Sequence, residues 1–125
     1  MDTKIYVALK TPIVRGGHLD TLDELRINVD YQKGGCNWFT GDMESNGVYV
    51  YLTPTHRNNG CVSQTIDGNM HNSGYKILVK ELGRKSQKQI DLAAEKVMPY
   101  AQQIADLYSD RKHQDVYNLI KSINF

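Results

Sequence analysis

The sequence contains few of the residues that build a metal or catalytic site. Only two of its 125 residues are cysteines, Cys36 and Cys61, and only four are histidines. No two histidines have the close spacing that a structural zinc site shows on one element. Neither cysteine lies in a signature typical of a catalytic nucleophile. We therefore expect no metal and no cofactor, and we assign no catalytic residue.

Disulfide frameworks, leader peptides and long hydrophobic runs are missing as well. Two cysteines are too few for the disulfide framework of a small secreted protein. The N-terminal residues enter a strand pattern without a basic segment and an apolar segment before it. No run of about 20 apolar residues could cross a membrane. The sequence predicts a cytoplasmic protein without membrane contact. Reduced thiols are favoured, with a disulfide between Cys36 and Cys61 as the alternative.

The sequence also has no large excess of positive or of negative charge. Fifteen Lys and Arg residues face fourteen Asp and Glu residues, so the formal net charge is +1. Proteins that bind nucleic acid through its phosphates usually carry a basic excess, which makes nucleic acid the less favoured partner here. The 40% hydrophobic and 23% charged fractions are those of a globular protein. We expect one domain over residues 1–125.

Glycine disappears from the chain after Gly83. All ten glycines lie in residues 1–83, where short segments alternate apolar and polar residues as β-strands do. Residues 84–125 instead repeat apolar residues at spacings of three and four, as amphipathic helices do. The pattern predicts an α+β fold, with an antiparallel sheet of about five or six strands followed by C-terminal helices packed on one face.

The strands predicted from these patterns cover residues 4–10, 24–31, 36–40, 48–53, 61–66 and 75–82. Pro12 and Pro54 are expected to end the strands before them, because proline cannot donate to the hydrogen-bond ladder. An Asn-Gly turn at residues 57–60 predicts a hairpin.

The helical part has a clear beginning and one interruption. Ser86 and Gln89 have the spacing of a capping box, which predicts a helix beginning there. Pro99 should kink or restart that helix, and a second helix is predicted over residues 110–123. The predicted apolar stripe consists of Ile90, Ala93, Ala94, Val97, Ala101, Ile104 and Tyr108.

A glycine-hinged loop is the first candidate binding site. Its candidate residues are Arg15, Gly16, Gly17, His18 and Asp20. Paired glycines allow backbone amides to approach an anion, and an arginine can pair with phosphate or carboxylate. The histidine and aspartate could form an acid/base pair. The segment lacks the Lys-Ser/Thr end of a phosphate-binding P-loop, so a solvated loop remains the alternative.

A second candidate site follows Pro54 and consists of Thr55, His56 and Arg57. These donors could converge on an anionic ligand, and the alternative is a polar strand end. A third feature is the set of aromatic residues Trp38, Phe39, Tyr49, Tyr51 and Tyr75. Aromatic sheets can stack nucleic-acid bases, but we expect these residues to pack in the core because the interleaved basic residues of such sheets are absent.

Residues 4–12, 15–24 and 34–40, in the first half of the chain, resemble a family of short uncharacterised proteins. These proteins are carried by phages and mobile elements of gut bacteria. The resemblance implies a genomic context and no activity. Small accessory proteins in that context often bind host or phage factors, and some inhibit host defence.

We therefore expect a non-enzymatic binding or regulatory protein that acts through a protein-protein surface, with an inhibitor of host defence as one version. The first alternative is a protein that binds or sequesters a nucleotide or another anionic small ligand. The second is a small hydrolase that uses His18 and Asp20.

Overall fold

The structure, a computed structural model, describes residues 4–15, 20–37, 39–55 and 75–125, with the backbone alone described at residues 14, 15, 20 and 21. Four strands in these residues form one antiparallel sheet in chain order. They are β1 (Lys4–Arg15), β2 (Asp20–Gln32), β3 (Gly47–Thr55) and β4 (Tyr75–Glu81). The predicted α+β fold is confirmed, but five or six strands is more than the four in the described part.

One of the surplus strands was predicted wrongly, and the other cannot be compared. Among the described residues of the segment 36–40, Cys36 alone is paired, in a single bridge with Met43. Asn37 closes a turn there, because its Oδ1 accepts from the amides of Phe39 at 2.7 Å and Thr40 at 3.1 Å. A side chain that binds nearby amides competes with strand pairing.

The predicted strand at residues 61–66 and the predicted hairpin turn at residues 57–60 lie outside the described residues.

Strand β1 does not end at Pro12 as predicted. The pairing of β1 with β2 shifts register between Ala8 and Ile13, and residues 9–12 have no paired residue on β2. Pro12 therefore lies in an irregularity where the ladder needs no donor, which is a position that tolerates proline within a sheet.

Strand β3 likewise continues past its proline. Pro54 pairs with Leu25 of β2, and on the other side the described ladder with β4 reaches only as far as Leu52. Pro54 thus lies beyond the described end of the β3–β4 ladder. Proline is tolerated in a strand where no ladder needs its amide, and no described residue of β4 pairs with Pro54.

The helices begin and end close to the predicted positions. Helix α1 (Gln87–Val97) follows Ser86, whose side chain accepts from the Gln89 amide at 3.4 Å. A short 3₁₀ turn (Met98–Tyr100) contains the helix-interrupting proline and precedes α2 (Ala101–Ser109). Helix α3 (His113–Ser122) begins three residues later than predicted, because Arg111 adopts a left-handed φ of 59° in the turn before it.

The helices cover one face of the sheet, as predicted. All seven residues of the predicted stripe are buried. They pack against inward-facing strand residues of the same cluster, namely Leu25, Ile27, Val29, Val48, Val50, Leu52 and Ile77. This cluster is the core of the described part, and it places the opposite sheet face away from the helices.

The end of α2 is attached to β1 by a reciprocal pair of hydrogen bonds. The hydroxyl of Ser109 accepts from the Thr11 amide at 2.8 Å and donates to the Thr11 carbonyl at 2.7 Å. An exposed ion pair of 2.8 Å between Lys10 and Asp110 lies next to it. The Ser109 hydroxyl therefore satisfies both the amide and the carbonyl of Thr11, a residue that has no paired partner on β2.

We expect Ser109→Ala to lower the free energy of unfolding by about 1 to 2 kcal/mol, because it removes two hydrogen bonds at a buried position. Urea denaturation measures this loss. Ser122→Ala is the matched control, since that exposed hydroxyl donates only to the Leu119 carbonyl of its own helix. Equal losses in the two variants would contradict the proposed role of Ser109.

Candidate interaction surface

The sheet face opposite the helices carries polar and aromatic side chains. Residues that pair directly on neighbouring strands lie on the same face, so the register places them in rows across the sheet. One row is Tyr6, Arg26 and Thr53, and the next is Asn28, Tyr51 and Lys76. We call this face the outer face.

The β2–β3 loop, residues 33–46, contacts one end of the outer face. Tyr49 is only 1% exposed, and its hydroxyl donates to the Ser45 carbonyl at 2.7 Å. The Lys76 ammonium lies 4.8 Å from the centre of the Tyr49 ring and donates to the Lys33 carbonyl at 3.4 Å. Burial raises the pKa of Tyr49 above its ordinary value. The Tyr49 ring, at this end of the outer face, is therefore not exposed.

The opposite end of the outer face, along β1, is exposed. Side chains at alternate positions of the strand are exposed, and Tyr6 among them is 52% exposed. Its cross-strand neighbour Arg26 is half-buried, and the Arg26 Nε is buried without a hydrogen-bond partner. We call the exposed residues together with this arginine the β1 surface: Lys4, Tyr6, Ala8, Lys10 and Arg26.

The two edges of the described sheet differ. At β4, the Lys121 ammonium of α3 donates to the Leu78 carbonyl at 2.8 Å, and Phe39 packs edge-on against Tyr75 at 5.0 Å. At β1, helix α2 packs along the strand more extensively than any other helix of the described part packs on a strand, and its Ser109 hydroxyl binds both backbone groups of Thr11. Along residues 5–9, no helix or loop of the described part forms a hydrogen bond with the backbone on the side away from β2.

An aromatic cluster joins β4 to α3 on the helix side. The Tyr75 hydroxyl lies 3.4 Å from Nδ1 of His113, and the Tyr108 and His113 rings meet edge-on at 5.0 Å. Burial, and secondarily the charge of Arg111, lowers the pKa of His113. The packing around this imidazole is that of a structural contact between sheet and helices.

This environment predicts a specific pH dependence of stability. The folded state lowers the His113 pKa from 6.5, so the unfolded chain binds a proton more readily than the folded one. Stability should therefore be unaffected by this group above about pH 7 and should fall as the pH drops through about 6.5 toward the folded-state pKa. We expect His113→Gln to remove this decrease.

Urea denaturation between about pH 7.5 and 5.5 measures the effect above the range in which most carboxylates titrate. The other three histidines are present in both proteins, so the difference between the two curves reports His113 alone. Parallel pH curves for the two proteins would contradict the prediction.

The two predicted binding loops leave the same end of the sheet. Arg15 pairs with Asp20 at the β1–β2 connection, and Thr55 pairs with Glu24. The two pairs are therefore separated along β2 by the distance between Asp20 and Glu24, which is about 13 Å because a strand rises about 3.3 Å per residue. Thr55 is fully buried, and its hydroxyl has no hydrogen-bond partner.

The other predicted site residues lie outside the described residues: Gly16, Gly17, His18, His56 and Arg57. A ligand site at this end of the sheet therefore stays a prediction. The reasoning from sequence overlooked the β1 surface, although the alternation of Lys4, Tyr6, Ala8 and Lys10 is visible there. The alternation alone does not show that these side chains are exposed, because it does not show that β1 lies at the end of the described sheet.

Other features of the described part add no chemistry to the surface. No group of three or more His, Cys, Asp and Glu residues within it is placed to hold a metal ion. Cys36 is an exposed free cysteine, and Cys61 lies outside the described residues. No helix among these residues has the length and apolar character needed to span a membrane.

Comparisons with models of protein families, with curated proteins and with solved structures found no match to this chain.

Proposed function

We propose that this protein is a non-enzymatic binding module whose β1 surface contacts a partner protein. The observation that carries the proposal is the exposed Tyr6 beside Arg26 on the outer face. Tyrosine and arginine are enriched among the residues that dominate protein-protein binding energy, because each combines a large contact area with hydrogen bonding.

The balance of charges supports a partner recognised by shape and local charge. With a formal net charge of +1, long-range attraction contributes little to association. A complex of this kind should survive moderate salt, whereas binding through phosphates weakens steeply as salt increases. Gel filtration of the complex at low and physiological salt separates the two kinds of binding.

The resemblance of the first half to short phage and mobile-element proteins supports a more specific version. In that context the protein would be a stoichiometric inhibitor of a host defence machine, such as an immune nuclease. Nuclease activity titrated with the protein would fall to its minimum at a fixed molar ratio if this version is correct.

We expect Tyr6→Ala to weaken binding to a partner by about 2 kcal/mol, or about 30-fold in Kd, because the ring supplies the centre of the contact. Affinity purification from the native host identifies the partner, and calorimetry with the purified partner measures the loss. The free energy of unfolding should change by less than about 1 kcal/mol, since the side chain is exposed on a strand.

Tyr100→Ala is the matched control, because that tyrosine is 37% exposed in the 3₁₀ turn and lies outside the β1 surface. It should bind the partner like the unmodified protein. If Tyr6→Ala bound as tightly as Tyr100→Ala, the β1 surface would not be the interface.

An anionic ligand at the end of the sheet is a second candidate function. It is favoured by the register, which brings the backbones of Arg15, Asp20 and Thr55 to one end. Arg15→Ala should then weaken nucleotide binding without changing stability, and calorimetry with a panel of nucleotides tests it.

A further inference from the structure

We propose that Arg26 of the β1 surface binds a carboxylate group of the partner protein. This inference rests on the proposed function and specifies one chemical group through which the partner is recognised. It begins from the surroundings of the Arg26 guanidinium group. The side chain is half-buried, and no described residue forms an ion pair or a hydrogen bond with it.

The guanidinium group is held at one end and accessible at the other. Arginine stays charged inside proteins, so the side chain cannot avoid the cost of burial by losing its proton. Of the three guanidinium nitrogens, Nε alone is buried without a hydrogen-bond partner. The packing around Nε therefore holds the inner end of the group, whereas the two terminal nitrogens remain able to bind a ligand. An anion at these terminal nitrogens balances the charge of the whole delocalised group, including its buried part.

The register of the sheet gives this cation an exposed aromatic neighbour. Arg26 pairs with Tyr6 of β1 on one side and with Thr53 of β3 on the other. Tyr6 is 52% exposed, so a partner group that reaches the guanidinium also meets the tyrosine ring. The arginine fork matches the two oxygens of a carboxylate, and the ring can cover the apolar carbons next to it. A carboxylate on an apolar stem fits both neighbours.

Charge favours a carboxylate over a phosphate. Glu24 lies two residues from Arg26 on the same strand and therefore on the same face, about 7 Å away along β2. These two described residues form no ion pair with each other. One negative charge from a ligand balances Arg26, whereas the second negative charge of a phosphate adds repulsion from Glu24.

The test uses the full chain and two small probes, phenylpropanoate and its neutral amide, phenylpropanamide. Both probes carry the same ring, so their difference in affinity reports the carboxylate. NMR titration of isotope-labelled protein follows the Tyr6 amide signal and the Arg26 Nε–H signal, which is assigned by its loss in Arg26→Gln. We expect the carboxylate to bind about fivefold more tightly than the amide.

Three variants test the assignment to Arg26. Arg26→Gln should abolish the preference for the carboxylate, because the variant keeps a hydrogen-bonding side chain but no charge. Arg84→Gln is the matched control, since Arg84 is exposed in the connection before α1 and lies outside the β1 surface. Glu24→Gln should strengthen carboxylate binding about twofold by removing a nearby like charge. Because this third variant leaves Arg26 in place, it tests the site even if Arg26→Gln disturbs the sheet.

The inference is overturned if the acid and the amide bind equally, if Arg84→Gln lowers the preference as much as Arg26→Gln, or if Glu24→Gln fails to strengthen carboxylate binding. Phenyl phosphate bound more tightly than phenylpropanoate at about pH 7.5, where it carries its second charge, overturns the choice of carboxylate.

The proposed function fails separately, if Tyr6→Ala leaves binding to the natural partner unchanged. A natural partner that loses affinity for Tyr6→Ala but not for Arg26→Gln retains the proposed function and overturns this inference alone.

Discussion

Ile104→Ala is expected to lower the free energy of unfolding by about 2 to 5 kcal/mol, the range for deleting a large buried aliphatic side chain. Ile104 is fully buried in α2, within the stripe that packs against the sheet. Its truncation removes apolar contacts and leaves a cavity that the surrounding strands cannot close. Urea or thermal denaturation followed by circular dichroism measures the loss.

Gln103→Ala is the control for this prediction. Its side chain is exposed on the same helix, one residue away, so the substitution leaves helix propensity favourable and the core intact. We expect a change within about 0.5 kcal/mol. A comparable loss in both variants would mean that the stripe of α2 does not pack on the sheet.

Gly34→Ala is expected to lower the free energy of unfolding by about 2 to 3 kcal/mol, in the upper part of the range for overpacking. A Cβ at this position would collide with the backbone carbonyl oxygen of Glu44 and would lie 2.7 Å from the carbonyl carbon of Ser45. The loop cannot open without cost, because the Gly34 amide donates to Asn46 at 2.8 Å. Chemical denaturation measures the effect.

Gly35→Ala provides the neighbouring comparison. A Cβ there meets only the flexible Lys76 ammonium, at 3.9 Å, which is ordinary van der Waals contact. We expect at most a small change in stability. If the two alanine variants were equally stable, the close approach of residues 34 and 44 would not exist in solution.

The helical part was predictable because its signals are local. The spacing of apolar residues identifies the buried face of a helix without reference to any other element, and all seven predicted residues are buried. The cap at Ser86 and the interruption at Pro99 depend on backbone groups within a few residues. Only the turn at Arg111, where the backbone is left-handed, displaced a helix boundary.

Strand boundaries were harder to predict, because a strand ends where its neighbours stop pairing. Pro12 and Pro54 were both predicted to end their strands, yet both strands continue: Pro12 lies in the irregular part of the β1–β2 pairing, and Pro54 pairs with Leu25 of β2. The segment at residues 36–40 had strand composition, but the Asn37 side chain binds the nearby amides and closes a turn.

The sequence by itself determined the α+β class, the alternation that makes Leu25, Ile27 and Val29 face the core, and the helical stripe that covers them. Each of these follows from periodicity along the chain. The tertiary structure alone decided which alternating strand is exposed: β1 and β2 both alternate apolar and polar residues, but β2 lies between two strands and β1 at the end of the described sheet. The physical reason is that exposure of a strand depends on its neighbours in space, which the pattern within that strand does not specify.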